Sequence, residues 1–593
     1  MNTNIFEQRI DKSKATLSSL QKKFNLLGNL KLACALGIFS FGYYSLKGGP
    51  IYNNIMFAVL IGAFIILSIW QSKAKKQINY FTDIIEINGQ YIKRALGEWA
   101  EFKDNGEEFI NKGHDFTYDL DIFGKKSLFQ FINTAHTYLG RKKLADKLSS
   151  PKFATEQIFE NQQATKELSS KLGFCQDFES YSKTSSSGDS VLKVIDYLND
   201  SKPFYSNKAL KTILHFMPAA VAPFVFCVYI FNLDSLKIVA NLFLVAQLII
   251  WAIGSTKINA YLKGISHYSM KLSGYKELFK LIQQSNFESE KLKSIQETLF
   301  QGISAFDAFN DLEKIAQKIS ARGNALVYLV LNVLLLWDYE CCTNMESWKG
   351  KYSKYIRAWF DTVSEIETLI SFSVLSHVLN ETSYPTIDNT KMDIEGSSLG
   401  HPLINNEKRI SNSFSMKDQI LIVSGSNMSG KTTFLRTIGI NLVLAYNGSV
   451  ICGAAFKAPV LDIISSMRVS DDLGEGISTF YAELLKIKRI VNHSKDTKEM
   501  IFLIDEIFRG TNSEDRLYGA RTVLQDLNHR EAIGLITTHD LEICNLDTDK
   551  RIINYHFKEG YQNGKIIFDY KLKEGVSKTT NGKQLMKMVG ITV

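Results

Sequence analysis

The chain has 593 residues, with 69 Lys and Arg set against 61 Asp and Glu, a formal net charge of +8 and seven cysteines. Basic residues are spread among the acids, which excludes a dedicated basic nucleic-acid domain but leaves weaker DNA contact open. The cysteines, among them the adjacent Cys341 and Cys342, show neither metal-ligand spacing nor a disulfide framework and fit a reducing compartment.

The first elements are apolar. A run from Leu32 to Leu46 precedes an uncharged stretch from Gly48 to Ser72, which holds Ile55 to Trp70 and is long enough to cross a hydrocarbon core of ~30 Å. Further along, Ile213 to Phe231 carries His215, Pro218 and Pro223 but no full charge, and Ile238 to Thr256 is uncharged throughout. Neighbouring helices can satisfy the carbonyls that the prolines free. The expectation is two transmembrane helical hairpins, at about 30–47 with 53–71 and about 213–232 with 237–256. Lys22, Lys23 and Lys31 precede the first and Lys73, Lys75 and Lys76 follow it, while Lys202, Lys208, Lys211, Lys257 and Lys263 flank the second. The positive-inside rule then turns both short loops outward and keeps both termini in the cytoplasm, as in a multi-pass protein of the cytoplasmic membrane. A secretory signal is not expected, because the apolar segments come as a hairpin with no small-residue cleavage site after the first.

The polar cluster Thr184 to Gly188 reads as a turn. A fifth apolar run, Ala325 to Trp337, is too short to span and reads as a buried core helix between charged helical stretches at Glu313 to Arg322 and Trp348 to Glu365. With eight prolines in all, the chain is expected to be mostly helical up to this point.

The most specific motif comes next. Ile420-Leu421-Ile422 is followed by Gly425-Ser426-Asn427-Met428-Ser429-Gly430-Lys431-Thr432-Thr433 and a helical pattern through Phe434, Leu435 and Ile438. This is the phosphate-binding pattern G-x-x-x-x-G-K-[ST]. Its glycines let successive N–H groups converge on phosphate oxygens at a helix N-terminus, its lysine adds a point charge, and its threonine offers a hydroxyl to Mg2+. Strand-like Glu499 to Ile504 ends in Asp505, suited to hold the metal, and Glu506, suited to polarise a water. A third strand, Ala532 to Thr538, ends in His539, placed to sense a terminal phosphate. Between them, Ser478 and Thr479 before the helical segment Phe480 to Ile490 offer hydroxyl and N–H donors to a phosphate, or an ordinary helix cap.

These residues together resemble the MutS family of mismatch repair ATPases. The loop with Asn427-Met428, the segments Asp471-Asp472-Leu473 and Gly476 to Phe480 with Glu483, the acidic Asp505 to Thr511, Thr538-His539, and the lead-in Gly400-His401-Pro402 with Asn412 all fit that family in order. Weaker matches lie upstream at Asp121 to Gly124, Ser127 to Phe129 and Gly140 to Leu144, which look like the opening of the MutS core. The resemblance implies an ABC-like ATPase that uses ATP and Mg2+ and dimerises, Ser478 and Thr479 of one subunit completing the partner's site. Departures are expected as well: no Phe-x-Glu mismatch-reading segment, no nuclease-like Smr extension, and an end at Val593.

The expected fold is therefore an α/β domain with a mostly parallel sheet over 391–593. A helical MutS-core-like region with the second hairpin fills 111–390, and an N-terminal region with the first hairpin fills 1–110. Two functions stay open. One is a membrane-anchored, homodimeric MutS-related ATPase in contact with the lipid bilayer and with double-stranded DNA, related to mismatch repair. The other is an ATP-driven signalling or transport-like membrane machine that works without DNA, although so few intramembrane charges argue against simple transport.

Overall fold

A computed structural model describes residues 3–151, 154–185, 190–200, 202–205, 207–300, 302–468, 479–495, 499–509, 511–528, 532–545, 551–562 and 565–577. The chain divides into two compact units, one of residues 1–133, 144–176 and 369–593, the other of residues 134–143 and 177–368.

The first unit begins with two long helices, α1 (Asn4–Leu46) and α2 (Ile51–Leu96), turned back on each other through Gly48 at φ 75° and Pro50. Gly37 and Gly42 of α1 let the pair approach closely, since a Cβ on them would stand 2.8 Å from Leu60 and 2.9 Å from Phe57 of α2. Leu36, Phe39, Ile55 and Ile65 face outward, and nothing in the most apolar eighteen-residue window of α2 is buried. Past Ala74 the same helix changes character. Ile78, Ile84, Ile87, Tyr91 and Ala95 recur at helical spacing and are buried. Arg94 donates to the carbonyls of Phe131 and Asn133 at 2.7 Å each, and Gly97 in the left-handed conformation ends the helix.

The second unit is helical. Its α3 (Lys208–Ile230) runs through Pro218 and Pro223 and packs Val221, Val225 and Val228 against Ala240 of α4 (Asp234–Gln284). There follow α5 (Ala305–Ser320), α6 (Ala325–Leu335) and α7 (Trp337–Tyr352). Ser304 caps α5 by accepting from the Asp307 N–H at 3.2 Å. Phe279, Phe309, Trp348 and Trp359 meet with ring centroids 4.9 to 6.5 Å apart and fill the centre of this unit. The buried Glu367 carboxylate accepts from the N–H groups of His136 and Thr137 and from the hydroxyls of Thr137 and Ser182.

Two expectations for this region are corrected. Ala325 to Trp337 is not one buried helix: Val327, Leu329 and Val330 of α6 are 45, 44 and 53 % exposed, and the helix ends at Leu335 before Leu336 at φ 46°. Trp348 to Glu365 is not one helix, because α7 ends at Tyr352 and a 3-10 turn at Ser353–Tyr355 separates it from the helix Ile356–Ser373. Among the described residues, four helices are long and apolar enough to cross a membrane: α1, α2, α3 and the Asp234–Lys263 part of α4.

The sheet that carries the motifs belongs to the first unit. Its strands are β1 (Ile420–Ser424), β2 (Asp462–Ser466), β3 (Met500–Ile504), β4 (Ala532–Thr538), β5 (Ile552–Gln562) and β6 (Lys565–Glu574), in the order β6-β5-β1-β4-β3-β2. All neighbours are parallel except β5 and β6. Every residue of β1, β3 and β4 is buried, as expected of parallel strands covered on both faces. Leu421 and Val423 join the core with Phe434 and Ile438 of α8 (Lys431–Tyr446). Ile420 and Ile422 point the other way, into a core shared with Ile487 of α9 (Thr479–Lys495) and Val523 of α10 (Ser513–Asn528). A four-stranded sheet of Thr386–Ile387, Ala455–Ala458, Asp393–Leu399 and Asn412–Lys417 adjoins it in the chain.

Candidate functional site

Strand register decides what meets at the sheet's C-terminal edge. Ser424 of β1 pairs with Thr538 of β4, and Ile536 of β4 pairs with Ile504 of β3. The loop after β1, the acids after β3 and the histidine after β4 are therefore delivered to one edge, where ligands bind in such sheets.

The loop is shaped by backbone conformations that most residues avoid. Gly425 lies at φ 151°, Met428 at 70° and Gly430 at 109°. A Cβ on Gly425 would press 2.8 Å from the Ser429 hydroxyl and 3.1 Å from the Phe557 carbonyl. Gly430 is the N-cap of α8, so the loop closes directly onto the positive end of a sixteen-residue helix. Among the described residues the buried Ser429 hydroxyl has no hydrogen-bond partner, and Asn427 and Met428 line the cavity beside it. Lys431 is buried and donates to the carbonyls of Gly425 at 2.7 Å and Ser426 at 3.1 Å. Burial pulls its pKa below the ordinary lysine value, an effect opposed by Glu506, Asp505 and Glu559.

The acids sit against the loop. Thr432 Oγ1 donates to Asp505 Oδ2 at 2.7 Å, while Thr537 Oγ1 donates to Asp505 Oδ1 at 2.6 Å and accepts from the Glu506 N–H at 2.8 Å. Glu506 stands at φ 53° and Phe508 at φ 57°, a strained turn placed where the strand ends. The Glu506 carboxylate lies 3.9 Å from Lys431 Nζ, 3.8 Å from His539 Nδ1 and 3.5 Å from Arg509 Nε. The His539 imidazole first, then Lys431, holds its pKa below the ordinary carboxylate value against the upward pull of burial. Buried Glu483 of α9 accepts from the N–H groups of Phe508 at 2.5 Å and Arg509 at 3.1 Å, which pins this turn.

A cavity of about 420 Å³ is lined by Ser426, Lys431, Thr432, Asp505, Glu506 and Arg509. A second, of about 430 Å³, adjoins it through Gly430, Thr433 and Tyr570 and is lined by Leu399, His401, Ile410 and Phe434. Burial, with Arg436 and Arg409 nearby, pushes the His401 pKa down to about 3, so this imidazole is neutral at ordinary pH. One cavity is polar with an acid pair and a hydroxyl, the other apolar. The donor set fits a hard divalent cation beside phosphate oxygens, and the neighbouring space suits a flat apolar group.

The structure thus brings together the loop residues from Gly425 to Thr433, Asp505, Glu506 and His539. Ser478 lies outside the described residues, as do Asp471, Asp472, Gly476 and Ile477, and Thr479 opens α9. Three contributors carried no signal in the motifs. Buried Glu559 on β5 accepts from Ser426 Oγ at 2.7 Å; Tyr570 on β6 lines both cavities; and Thr537 ties Asp505 to Glu506. Upstream, Asp121 pairs with Arg436 of α8 and with Arg468 at 2.7 Å each, and Asp119 accepts from the N–H groups of Met467 and Arg468. Asp121 therefore docks on the sheet domain, against α8 and the segment that leaves β2.

Residues 421–593 match the family model described as MutS domain V. The chain is 27% identical over 254 residues to the DNA mismatch repair protein MutS of a Geobacillus strain, covering 41% of this chain and 29% of that protein. It is 28% identical over 278 residues to the MutS of Lysinibacillus sphaericus, covering 45% and 32%. To the DNA mismatch repair protein HexA of Streptococcus pneumoniae it is 26% identical over 261 residues, covering 43% and 31%. The chain spans about a third of the length of these curated relatives.

Proposed function

We infer that this chain, a member of the MutS family through residues 421–593, binds ATP with Mg2+ and hydrolyses it. The observation that carries the reading is the contact of Thr432 with Asp505 beside a Glu506 kept ionised within reach of His539. Loop N–H groups and Lys431 hold the phosphates; Thr432 and Asp505 hold the metal. Bound there, Mg2+ would neutralise charge on the phosphate oxygens. Glu506 orients and deprotonates the attacking water, and His539 donates toward the terminal phosphate. The nucleobase fits the apolar cavity at Phe434 and Tyr570. Ser478 and Thr479 serve the site of a second copy, so the working form is a homodimer.

The same reading makes the protein membrane-anchored, with the sheet domain on the cytoplasmic side. Its support is the exposed apolar surface of α1 and α2, which a water-facing hairpin would not keep. Duplex DNA is the macromolecular partner in this proposal, by analogy with relatives named for DNA mismatch repair. A second reading, an ATP-driven membrane signalling or transport-like machine without DNA, is favoured by one observation: α2 runs unbroken from its exposed apolar half into the core beside the sheet. The deciding experiment is the ATPase rate of the full-length protein in vesicles, with and without matched and mismatched duplex DNA at two salt concentrations, Glu506→Gln serving as blank. Stimulation that fades with salt supports the first reading. Hydrolysis indifferent to any DNA supports the second, and no hydrolysis above the blank rejects both.

A further inference from the structure

The fifth apolar segment is a feature that neither reading uses. Resting on the reading of α3 and α4 as membrane spans, we propose that α6 and the start of α7 form a re-entrant hairpin whose exposed face lies in the hydrocarbon of the bilayer.

No charged residue lies between Arg322 and Asp338. The chain bends by 116° between Ala305–Gly323 and Val327–Leu335, so α6 leaves the line of α5. The eleven residues of α6 reach about 16 Å, half of a hydrocarbon core of ~30 Å. It packs on α3 and α4, and its contacts give its depth. Tyr328 meets Trp251 of α4 with ring centroids 5.5 Å apart. The side-chain amide of Gln247, oriented to donate, reaches the carbonyls of Val333 at 2.5 Å and Leu334 at 3.3 Å. Leu336 then turns the chain at φ 46°, and on the way back Tyr339 donates to the carbonyl of Ile250 at 3.1 Å. The chain therefore descends to the level of Gln247, near the middle of the expected span 237–256, and returns.

A broken helix at that depth is tolerated only where protein satisfies its backbone and its charge. Both conditions are met. Gln247 takes the carbonyls of Val333 and Leu334 in the last turn of α6, and Asn332 Oδ1 accepts from the Asp338 N–H at 3.0 Å. Fully buried Asp338 accepts from Arg322 Nε at 2.9 Å, Tyr328 OH at 2.6 Å and Trp251 Nε1 at 3.1 Å. What remains unsatisfied is the outward face of α6, where Val327, Leu329 and Val330 are exposed at the level set by the contacts of α6 with Gln247 and Trp251 of α4. That depth selects lipid as the occupant.

The test uses full-length protein in phosphatidylcholine and phosphatidylglycerol vesicles, with Cys34→Ser and Cys227→Ser to remove the thiols outside the core. A bimane label is placed in turn at Val330→Cys, at Ile253→Cys as the span reference and at Lys314→Cys on α5 as the water reference. The expected result is quenching at Val330 by acyl-chain nitroxide lipids close to that at Ile253 and about threefold above that at Lys314, with iodide giving the opposite ranking. Lipid quenching at Ile253 combined with iodide quenching at Val330 overturns the proposal. So does quenching of Val330 by neither reagent, which would mean that a protein surface covers α6. Iodide quenching at Ile253 itself instead rejects the span reading of α4 on which the proposal rests.

Discussion

Thr432 Oγ1 donates to Asp505 Oδ2 across 2.7 Å, which ties the first turn of α8, reached through the loop after β1, to the end of β3 over the intervening strand β4. Both atoms are hard oxygen donors, and their approach is set by the register of three parallel strands rather than by either side chain alone. Thr432→Ala should lower Mg2+-dependent turnover by roughly 2–4 kcal/mol of barrier, while Thr432→Ser keeps most of it. Turnover measured across a Mg2+ titration checks this; an unchanged metal dependence in Thr432→Ala would remove the hydroxyl from the metal site.

Glu506→Gln should bind nucleotide as the unaltered chain does, lose hydrolysis and accumulate as a nucleotide-bound dimer. A fluorescent nucleotide and size-resolved light scattering read the two halves of that outcome, and retained turnover would exclude Glu506 as the base. Because its carboxyl is held below its ordinary value, Glu506 stays ionised from neutral pH down to about pH 5, so its protonation should place no limb on the rate profile in that range.

Glu483 does not touch the cavity, yet its carboxylate fixes the turn that aims Glu506. Glu483→Gln weakens two charge-assisted hydrogen bonds to backbone N–H groups, at about 1.5–3 kcal/mol in stability. The thermal midpoint should fall and turnover should fall with it, while the midpoint should still rise on adding nucleotide. A normal rate in Glu483→Gln would separate the turn from the chemistry.

Two histidines of the sheet-bearing unit are held neutral. Burial pushes His377 down to about 4, and burial with Arg436 and Arg409 pushes His401 to about 3, against about 6.5 in an unfolded chain. As pH falls below about 6.5 the unfolded chain takes up protons that the folded one refuses, so this contribution is complete at neutral pH and is lost progressively toward pH 4. Each group adds a slope of up to about 1.4 kcal/mol per pH unit in that window. Melting midpoints recorded from pH 7.5 to 5 should fall, and His377→Gln should flatten the fall; an identical slope in that variant would rule His377 out as a source.

The loop was legible because its chemistry is local: glycines, lysine and threonine act at fixed spacing, and Ile420 to Ser424 with Met500 to Ile504 read as buried strands from their apolar runs. Glu559 and Tyr570 were not legible, since each meets the loop only after β5 and β6 fold back beside β1, more than a hundred residues downstream. The misreading of α6 has a different cause. Hydrophobicity reports that a segment avoids water, and an eleven-residue apolar helix gives the same pattern whether protein or lipid covers it. The expected division at residue 391 likewise missed that Asp119 and Asp121, far upstream, anchor on Arg468 and Arg436.

α2 has no joint. Its forty-six residues contain no proline, and its only glycines, Gly62 and Gly89, sit within continuous helix. A rod of about 69 Å pivoting by about 5° at its buried end sweeps its far end through roughly 6 Å. Small rearrangements around Tyr91 and Arg94 are therefore geared up along the rod, and load applied at the distal tip returns to Phe131 and Asn133 as torque.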